Sequence, residues 1–239
     1  MTDVLYSGKV KKVLHQERRR RGYEMKKLKM AAVMLVAVLA LGLLGGCGVS
    51  FDASAYIKAL LDNSYKDDST EFVAQKVGTA EEASSLYQQG IESELTALLA
   101  GNTVSDELQD EYRQVLKDIF KAVKYTVGDA EKQDDGSYVV TVNYEQMQIF
   151  GAAMDAYMVK VEEMTDEWTQ ADELPSDEEM YEQIYATLKD CLKEALSNAT
   201  YADEASATVR VEIVDNTYTP NNDDIANLES VMFDLDAVN

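Results

Sequence analysis

Histidine is almost absent from this chain of 239 residues: the only one is His15, and none follows it. A serine–histidine–aspartate triad, a cysteine–histidine nucleophile and a histidine-ligated metal site all require an imidazole. The long segment after residue 15 can therefore build none of these sites. Carboxylate, lysine and tyrosine chemistry remains open to an enzyme. No motif singles out a catalytic residue, and we predict neither a cofactor nor a metal site.

Cysteine is scarce as well, with Cys47 and Cys191 as the only two. A disulfide framework needs several pairs, so we expect none to hold this fold together. Cys191 follows Ile184 and Leu188 at helical spacing and precedes Leu192. We therefore place its side chain on the buried stripe of a helix, where an unpaired cysteine behaves as a small hydrophobic residue.

A hydrophobic run that comfortably spans a bilayer is also lacking. The longest run, residues 30–44, lies at the short edge of the roughly 17 to 25 residues that a transmembrane helix needs, so a retained anchor is the weaker interpretation. Three lysines precede this run, and Gly45, Gly46 and Cys47 follow it. A positive segment, an apolar segment and a small-residue cleavage site, in that order, are typical of a secretory signal peptide. We predict that residues 25–46 form this peptide, with cleavage between Gly46 and Cys47.

Residues 1–24 do not fit a signal peptide that begins at Met25. The four consecutive arginines from Arg18 to Arg21 could form a basic patch for a membrane surface or a nucleic acid. Consecutive arginines just upstream of a methionine are also what an in-frame, purine-rich ribosome-binding site would encode. We favour Met25 as the true start, with residues 1–24 either not translated or a non-structural extension.

The segment Leu44-Gly45-Gly46-Cys47 resembles the lipobox of bacterial lipoproteins. The resemblance implies that the Cys47 thiol is acylated, with fatty chains such as palmitate, before the chain is cut in front of it. One acyl chain binds a membrane only marginally, whereas two hold a protein stably. We expect a domain anchored at the outer face of the cytoplasmic membrane. The alternatives are an ordinary signal peptide with a chance cysteine, or an uncleaved anchor.

Charge divides sharply at Cys47. Ten of the 22 basic residues lie before it, and 41 of the 44 acidic residues lie after it. Such an acidic domain is unsuited to the phosphate backbone of a nucleic acid and is repelled by anionic lipid headgroups. We therefore predict no nucleic-acid partner. The acidity favours solubility in an extracellular setting over the specific capture of cations.

Apolar residues at helical spacing, together with capping residues, predict five helices and a short final one. They run from about Asp52 or Ser54 to Lys66, from the Thr79–Glu82 capping box to Gly101, from Ser105 through Val123, from Phe150 to Trp168, from the Ser176–Glu179 capping box through Ala195, and around 225–233. We assign the acidic stretch 166–177 to a loop rather than to a linker between domains.

Alternating apolar and polar residues predict strands at 138–145 and at 208–214. The Asp134-Asp135-Gly136-Ser137 segment has the chemistry of a turn, so residues 125–131 should pair with the first of these strands as a hairpin. Helices segregated from a small sheet make an α+β fold. We predict one mature domain, 47–239, with amphipathic helices on one face of an antiparallel sheet of at least three strands.

Methionine and aromatic side chains are concentrated between residues 147 and 185. Such side chains can line an adaptable groove for a peptide, lipid or sugar. The candidate ligand groove comprises Met154, Tyr157, Trp168, Tyr181 and Tyr185. Ordinary core packing between two helices is the simpler explanation, because most of these residues fall on helical stripes. No calcium-loop signature is matched, although the 172–179 loop is acidic enough for weak calcium binding. Carboxylates are so numerous that a pair at glycosidase spacing is expected by chance, and no pair stands out from this background.

The lipobox, followed by a histidine-poor and acidic α+β domain, resembles the uncharacterised small lipoproteins of Gram-positive bacteria. Related small domains are often cystatin-like or nuclear-transport-factor-like, which would suit binding in the concavity of a curved sheet. We expect an extracytoplasmic, non-enzymatic domain that binds a small ligand, peptide, glycan or envelope protein. The alternatives are a carboxylate-dependent cell-envelope hydrolase and a structural subunit of an envelope complex.

Overall fold

The structure is a computed structural model, and it describes residues 51–171 and 173–234. Within these ranges the chain forms seven helices and a four-stranded antiparallel sheet, which confirms the α+β class. The helices are α1 (Ala53–Lys66), α2 (Thr70–Ala74), α3 (Ala80–Leu99), α4 (Asp106–Ala122), α5 (Phe150–Gln170), α6 (Asp177–Ser197) and α7 (Asn222–Met232). The strands are β1 (Lys124–Lys132), β2 (Tyr138–Met147), β3 (Tyr201–Val214) and β4 (Thr217–Pro220).

Side-chain caps set the starts of the longer helices. The Thr79 hydroxyl accepts from the Glu82 backbone while the Glu82 carboxylate accepts from the Thr79 backbone, and Ser176 with Glu179 repeats this capping box. Ser105 caps α4 through the backbone N–H of Leu108. Each cap satisfies backbone donors that have no partner inside the helix. The predicted helix starts at these positions are confirmed.

The β1–β2 hairpin pairs residues 124–132 with 138–145, as predicted. The Asp135 carboxylate accepts from the Ser137 backbone and hydroxyl, and Gly136 takes a positive φ of 87° that other residues rarely adopt. A bulge between Val127 and Ala130 interrupts β1, and the Ser54 hydroxyl donates to the Gly128 carbonyl there at 2.8 Å. The bulge therefore fastens the start of α1 to the edge of the sheet.

The second half of the sheet is larger than the sequence pattern predicts. Strand β3 begins at Tyr201 rather than at Thr208, and β4 was not predicted at all. Asp215 and Asn216 join β3 to β4 with φ values of 49° and 63°. Two consecutive left-handed residues are what the tightest hairpin turn requires, and aspartate and asparagine tolerate that conformation.

Helices cover one face of the sheet, as predicted. Helix α1 packs on β1 and β2, and α7 packs on β2 and β3. Four valines between them are completely buried, namely Val140, Val142, Val209 and Val211. Alternate residues of β3 on the opposite face, including Glu204, Ser206, Thr208 and Arg210, are exposed. The apolar face of the sheet is therefore covered by α1, which precedes the strands in the chain, and by α7, which follows them.

Helices α5 and α6 form a helical hairpin. In the sequence it is inserted between β2 and β3, which are neighbours in the sheet. The base of the insertion is closed by the Gln148 N–H, which donates to the Thr200 carbonyl at 2.9 Å. Helix α6 packs on α4, and α4 packs on α3 and α1. The predicted loop over 166–177 is wrong at its start, because α5 continues to Gln170 and the loop begins at Ala171. Helical hydrogen bonding extends through acidic residues whose side chains point into solvent.

Candidate functional site

The candidate groove residues lie on α5 and α6. Tyr157, Trp168 and Tyr185 are buried, whereas Met154 and Tyr181 are half-buried and pack against the same core. The packing of α5 on α6 is the most extensive contact between any two helices in the described chain. The structure thus places all five residues at or beside helix contacts. Their role in binding a ligand remains a prediction.

The hydrogen bonds of these residues point in two directions. Trp168 Nε1 donates to Gln183 Oε1 at 3.2 Å, which ties the end of α5 to α6. The Tyr185 hydroxyl instead donates to the Leu99 carbonyl at 3.0 Å and accepts from Asn102 Nδ2 at 2.9 Å, where α3 ends. Trp168 and Tyr185 therefore serve different helix contacts rather than one common opening.

Tyr157 and Tyr185 do come together around Tyr112 of α4. The Tyr112 hydroxyl donates to the Tyr185 carbonyl at 2.6 Å. Burial raises the pKa of Tyr112 far above its usual range, and the neighbouring hydroxyls of Tyr157 and Tyr185 raise it further. A phenol in this state is a permanent hydrogen-bond donor at any physiological pH. The hydrogen bond from Tyr112 thus fixes α6 against α4, and Tyr157 of α5 lies nearby.

Sequence reasoning missed a cluster of polar groups in the core. This buried carboxyl cluster consists of Tyr65 on α1, Glu94 on α3 and Glu229 on α7. The Tyr65 hydroxyl donates to Glu229 Oε1 at 3.3 Å. Burial is the main cause that raises the pKa of Tyr65, and Glu229 raises it further. The signal was present in the sequence, since Glu94 and Glu229 each occupy an apolar stripe, at helical spacing from Ile91 and Ile225.

Glu94 is the least satisfied member of the cluster. Its side chain is 6 % exposed, and within residues 51–171 and 173–234 its Oε1 has no hydrogen-bond partner. Burial alone raises the pKa of Glu94 from 4.5 to about 7. A carboxyl with such a pKa is neutral over much of the mildly acidic range and could donate a proton. Glu94 and Glu229 both lie beneath packed helices, where a substrate could reach them only by opening the core.

Three aromatic rings hold Phe51, the first described residue, against one end of the sheet. The Phe51 ring stacks on Tyr218 with centroids 3.8 Å apart and an interplanar angle of 5°. Tyr56 and Tyr138 approach Phe51 with centroids at 5.5 Å each. Such aromatic pairs stabilise a fold beyond the area they bury. We call Phe51, Tyr56, Tyr138 and Tyr218 the aromatic clamp.

The predicted lipidation and cleavage site lies outside the described residues. This applies to Gly46 and Cys47, to the predicted signal peptide 25–46, and to residues 1–24. Cys191 is described and is buried on α6, as its spacing predicts, and burial raises the pKa of its thiol. A thiol that resists ionisation is a poor nucleophile, because the thiolate is the reactive form.

Residues 51–171 and 173–234 contain neither a metal-binding cluster nor a membrane-spanning helix. No three acidic, histidine or cysteine side chains there are placed so that they could hold a metal ion. No helix over these ranges has both the length and the apolar character needed to cross a bilayer.

Comparison with known proteins gives a likeness of fold. No family model and no curated protein matches the chain. A crystal structure of the predicted lipoprotein YcdA from Bacillus subtilis is similar, with a TM-score of 0.50 and 16 % sequence identity. The similar region covers 77 % of this chain but 56 % of YcdA, so this chain spans little more than half of that protein. These comparisons give no link to cystatin-like or nuclear-transport-factor-like proteins.

Proposed function

We propose that this chain is an extracytoplasmic lipoprotein, held at the outer face of the cytoplasmic membrane by lipid on Cys47, with a non-enzymatic binding domain. The lipobox at residues 44–47 carries the proposal, because it directly follows an apolar run with a positive leading segment. The fold likeness to YcdA, itself a predicted lipoprotein, is consistent with it.

The start of the folded domain also supports lipid anchoring. Phe51 is already fixed in the aromatic clamp, and only three residues separate it from Cys47. An extended chain spans at most about 3.5 Å per residue, so Phe51 lies within about 14 Å of the lipid-bearing cysteine. The domain would therefore be held directly at the bilayer surface.

The arrangement of reactive groups favours binding over catalysis. Hydrolysis of a glycosidic bond needs two carboxyls that flank an accessible cleft. Among the described carboxyls, Glu94 has the pKa that would suit an acid, but its side chain and that of Glu229 are buried. The described cysteine, Cys191, is buried and poorly ionised. A peptide, glycan, small molecule or envelope protein bound at the surface is the partner class that we propose.

Metabolic labelling with an alkyne palmitate analogue in a Gram-positive host tests the anchor. We expect label on the wild-type chain and none on Cys47→Ser, which should also leave the membrane fraction. Cys191→Ala is the matched control, because it removes the other cysteine of the chain, and it should be labelled like the wild type. Label that survives in Cys47→Ser, or is lost only in Cys191→Ala, would contradict the proposal.

A thermal-shift screen of residues 48–239 tests the binding function. The panel contains calcium, glycans, cell-wall peptides and lipid headgroups. A compound that binds only the folded state raises the midpoint of thermal unfolding. At 100 times its dissociation constant it adds about 2.7 kcal/mol to the free energy of unfolding. We expect one organic class to raise the midpoint reproducibly. Turnover of a cell-wall glycan by the same preparation would contradict a non-enzymatic role.

A further inference from the structure

Two large apolar residues are exposed at the tip of the β3–β4 hairpin. Ile213 and Val214 expose 49 % and 48 % of their surface, whereas Val211, two residues earlier on the same strand, is completely buried. They directly precede the turn formed by Asp215 and Asn216. Strand tips are normally polar, so a consecutive apolar pair at this position is a feature that core packing does not explain.

This tip lies at the end of the sheet where the described chain begins. Ile213 pairs with Tyr218 across the hairpin, and Tyr218 is the residue on which Phe51 stacks. The β1–β2 turn is at the same end, because a Cβ placed on Gly136 would lie 3.4 Å from Ile213 Cδ1. Both hairpin turns and Phe51 thus share one end of the sheet, which we call the hairpin end.

The short stretch of chain between Cys47 and Phe51 limits what can lie between the hairpin end and the lipid. The four peptide steps from Cys47 to Phe51 reach about 14 Å at most, which leaves no room for another domain between this end and the lipid. Tyr138 and Tyr218 are only half-buried here. Tyrosine is enriched at the level of the lipid headgroups, where its ring is shielded and its hydroxyl stays hydrated.

We propose that the hairpin end is a membrane-docking surface, with Ile213 and Val214 inserted among the lipid headgroups of the bilayer. The inference rests on the proposed lipidation of Cys47. Asp134, Asp135 and Asp215 flank the apolar pair, and a charged carboxylate is costly to bury. Insertion is therefore shallow. The lipid holds the protein on the membrane, and the apolar tip sets how the domain is oriented.

A fluorescent probe in the lipidated full chain tests the orientation. Val214→Cys and Glu204→Cys are each labelled with the polarity-sensitive NBD fluorophore in a Cys191→Ala background, and the protein is placed in phosphatidylcholine vesicles. Glu204 is the matched control, because it is exposed on the same face of β3 ten residues away, about 33 Å along an extended strand. Quenching by spin-labelled lipid reports the depth of each probe.

We expect the probe at 214 to show a blue shift, a several-fold rise in emission and strong quenching, and the probe at 204 to stay as in water. Adding Ile213→Asp should return the 214 probe to its aqueous emission. Vesicle flotation separates the two proposals. A chain that does not float contradicts the lipid anchor, and with it the docking surface. A chain that floats with equally hydrated probes at 214 and 204 overturns the docking surface alone.

Discussion

Replacing Glu94 with glutamine should stabilise the domain, relative to the wild type, by about 2.5 kcal/mol more near pH 8 than near pH 5. Burial raises the pKa of Glu94 from 4.5 to about 7 in the folded state. Above that pH the native protein must keep a charged carboxylate in its core, and its Oε1 lacks a hydrogen-bond partner in the part of the chain that the structure describes. Glutamine keeps the shape of the side chain and is never charged.

The sign of the pH dependence follows from which state binds the proton more tightly. Between the unfolded pKa of 4.5 and the folded pKa of about 7, the folded chain holds a proton on Glu94 that the unfolded chain has released. The contribution of Glu94 is therefore most favourable below about pH 4.5, falls as the pH rises through this window, and is constant above about pH 7. Glu94→Gln removes this decline.

Urea unfolding near pH 5 and pH 8 measures the effect as a difference between wild type and variant. The comparison isolates Glu94 from the other buried carboxyl, Glu229, which both proteins share. Glu163→Gln on α5 is the control, because it makes the same substitution at a side chain that is exposed to water. Equal losses of stability with rising pH in wild type and Glu94→Gln would show that Glu94 is not protonated in the folded state.

Truncating Trp168 to alanine should lower the free energy of unfolding by about 3 to 5 kcal/mol, the usual cost of removing a buried tryptophan. The residue is 8 % exposed, and its indole nitrogen donates to Gln183 across the α5–α6 contact. The variant loses packing and also leaves the Gln183 side chain without this donor. Far-ultraviolet circular dichroism is the measure of unfolding, because Trp168 is the sole tryptophan and the variant has no tryptophan fluorescence.

Tyr181→Ala distinguishes a core position from a groove. Tyr181 is half-buried on α6, so its truncation should cost clearly less than that of Trp168. If Trp168 instead lines a ligand groove, Trp168→Ala should keep most of its stability and lose the thermal shift given by the bound compound. That outcome would favour the ligand-groove prediction for α5 and α6 over core packing.

The parts of the fold that could be predicted are those with local signals. A capping box such as Thr79 with Glu82 marks the start of a helix in the local sequence, because both of its hydrogen bonds join residues three apart. Strand β2 alternates valines with polar residues and follows an aspartate–glycine turn, so its pairing with β1 needs no distant information. These elements were predicted correctly because interactions between residues close in sequence determine them.

The elements that were missed depend on distant partners. The first half of β3 reads Tyr-Ala-Asp-Glu-Ala-Ser-Ala, which has no strand pattern, yet its backbone pairs with the end of β2. Strand β4 contains Pro220, which is tolerated because the strand lies at the edge. Pairing geometry overrides composition in both cases. The buried carboxyl cluster was missed for a related reason, since its members come from three helices far apart in sequence.

The candidate groove shows how far composition can define a site. Methionine and aromatic content correctly marked a region where helices pack. Composition could not show that Tyr185 reaches toward Leu99 and Asn102 while Trp168 reaches toward Gln183. Which neighbour a side chain meets is decided by the packing of α3, α4 and α6, and that arrangement is tertiary.

The insertion of α5 and α6 between β2 and β3 has a consequence for the order of folding. The two hairpins of the sheet can each form from neighbouring residues, but joining them requires closure of a loop of about 50 residues, whose entropic cost grows with its length. Pairing of α5 with α6 brings Gln148 and Thr200 together and so reduces that cost. Helix α7, the last described element, then covers β2 and β3. Until it does, a newly made chain presents Val140 and Val209 to water, which is when it is most prone to aggregate.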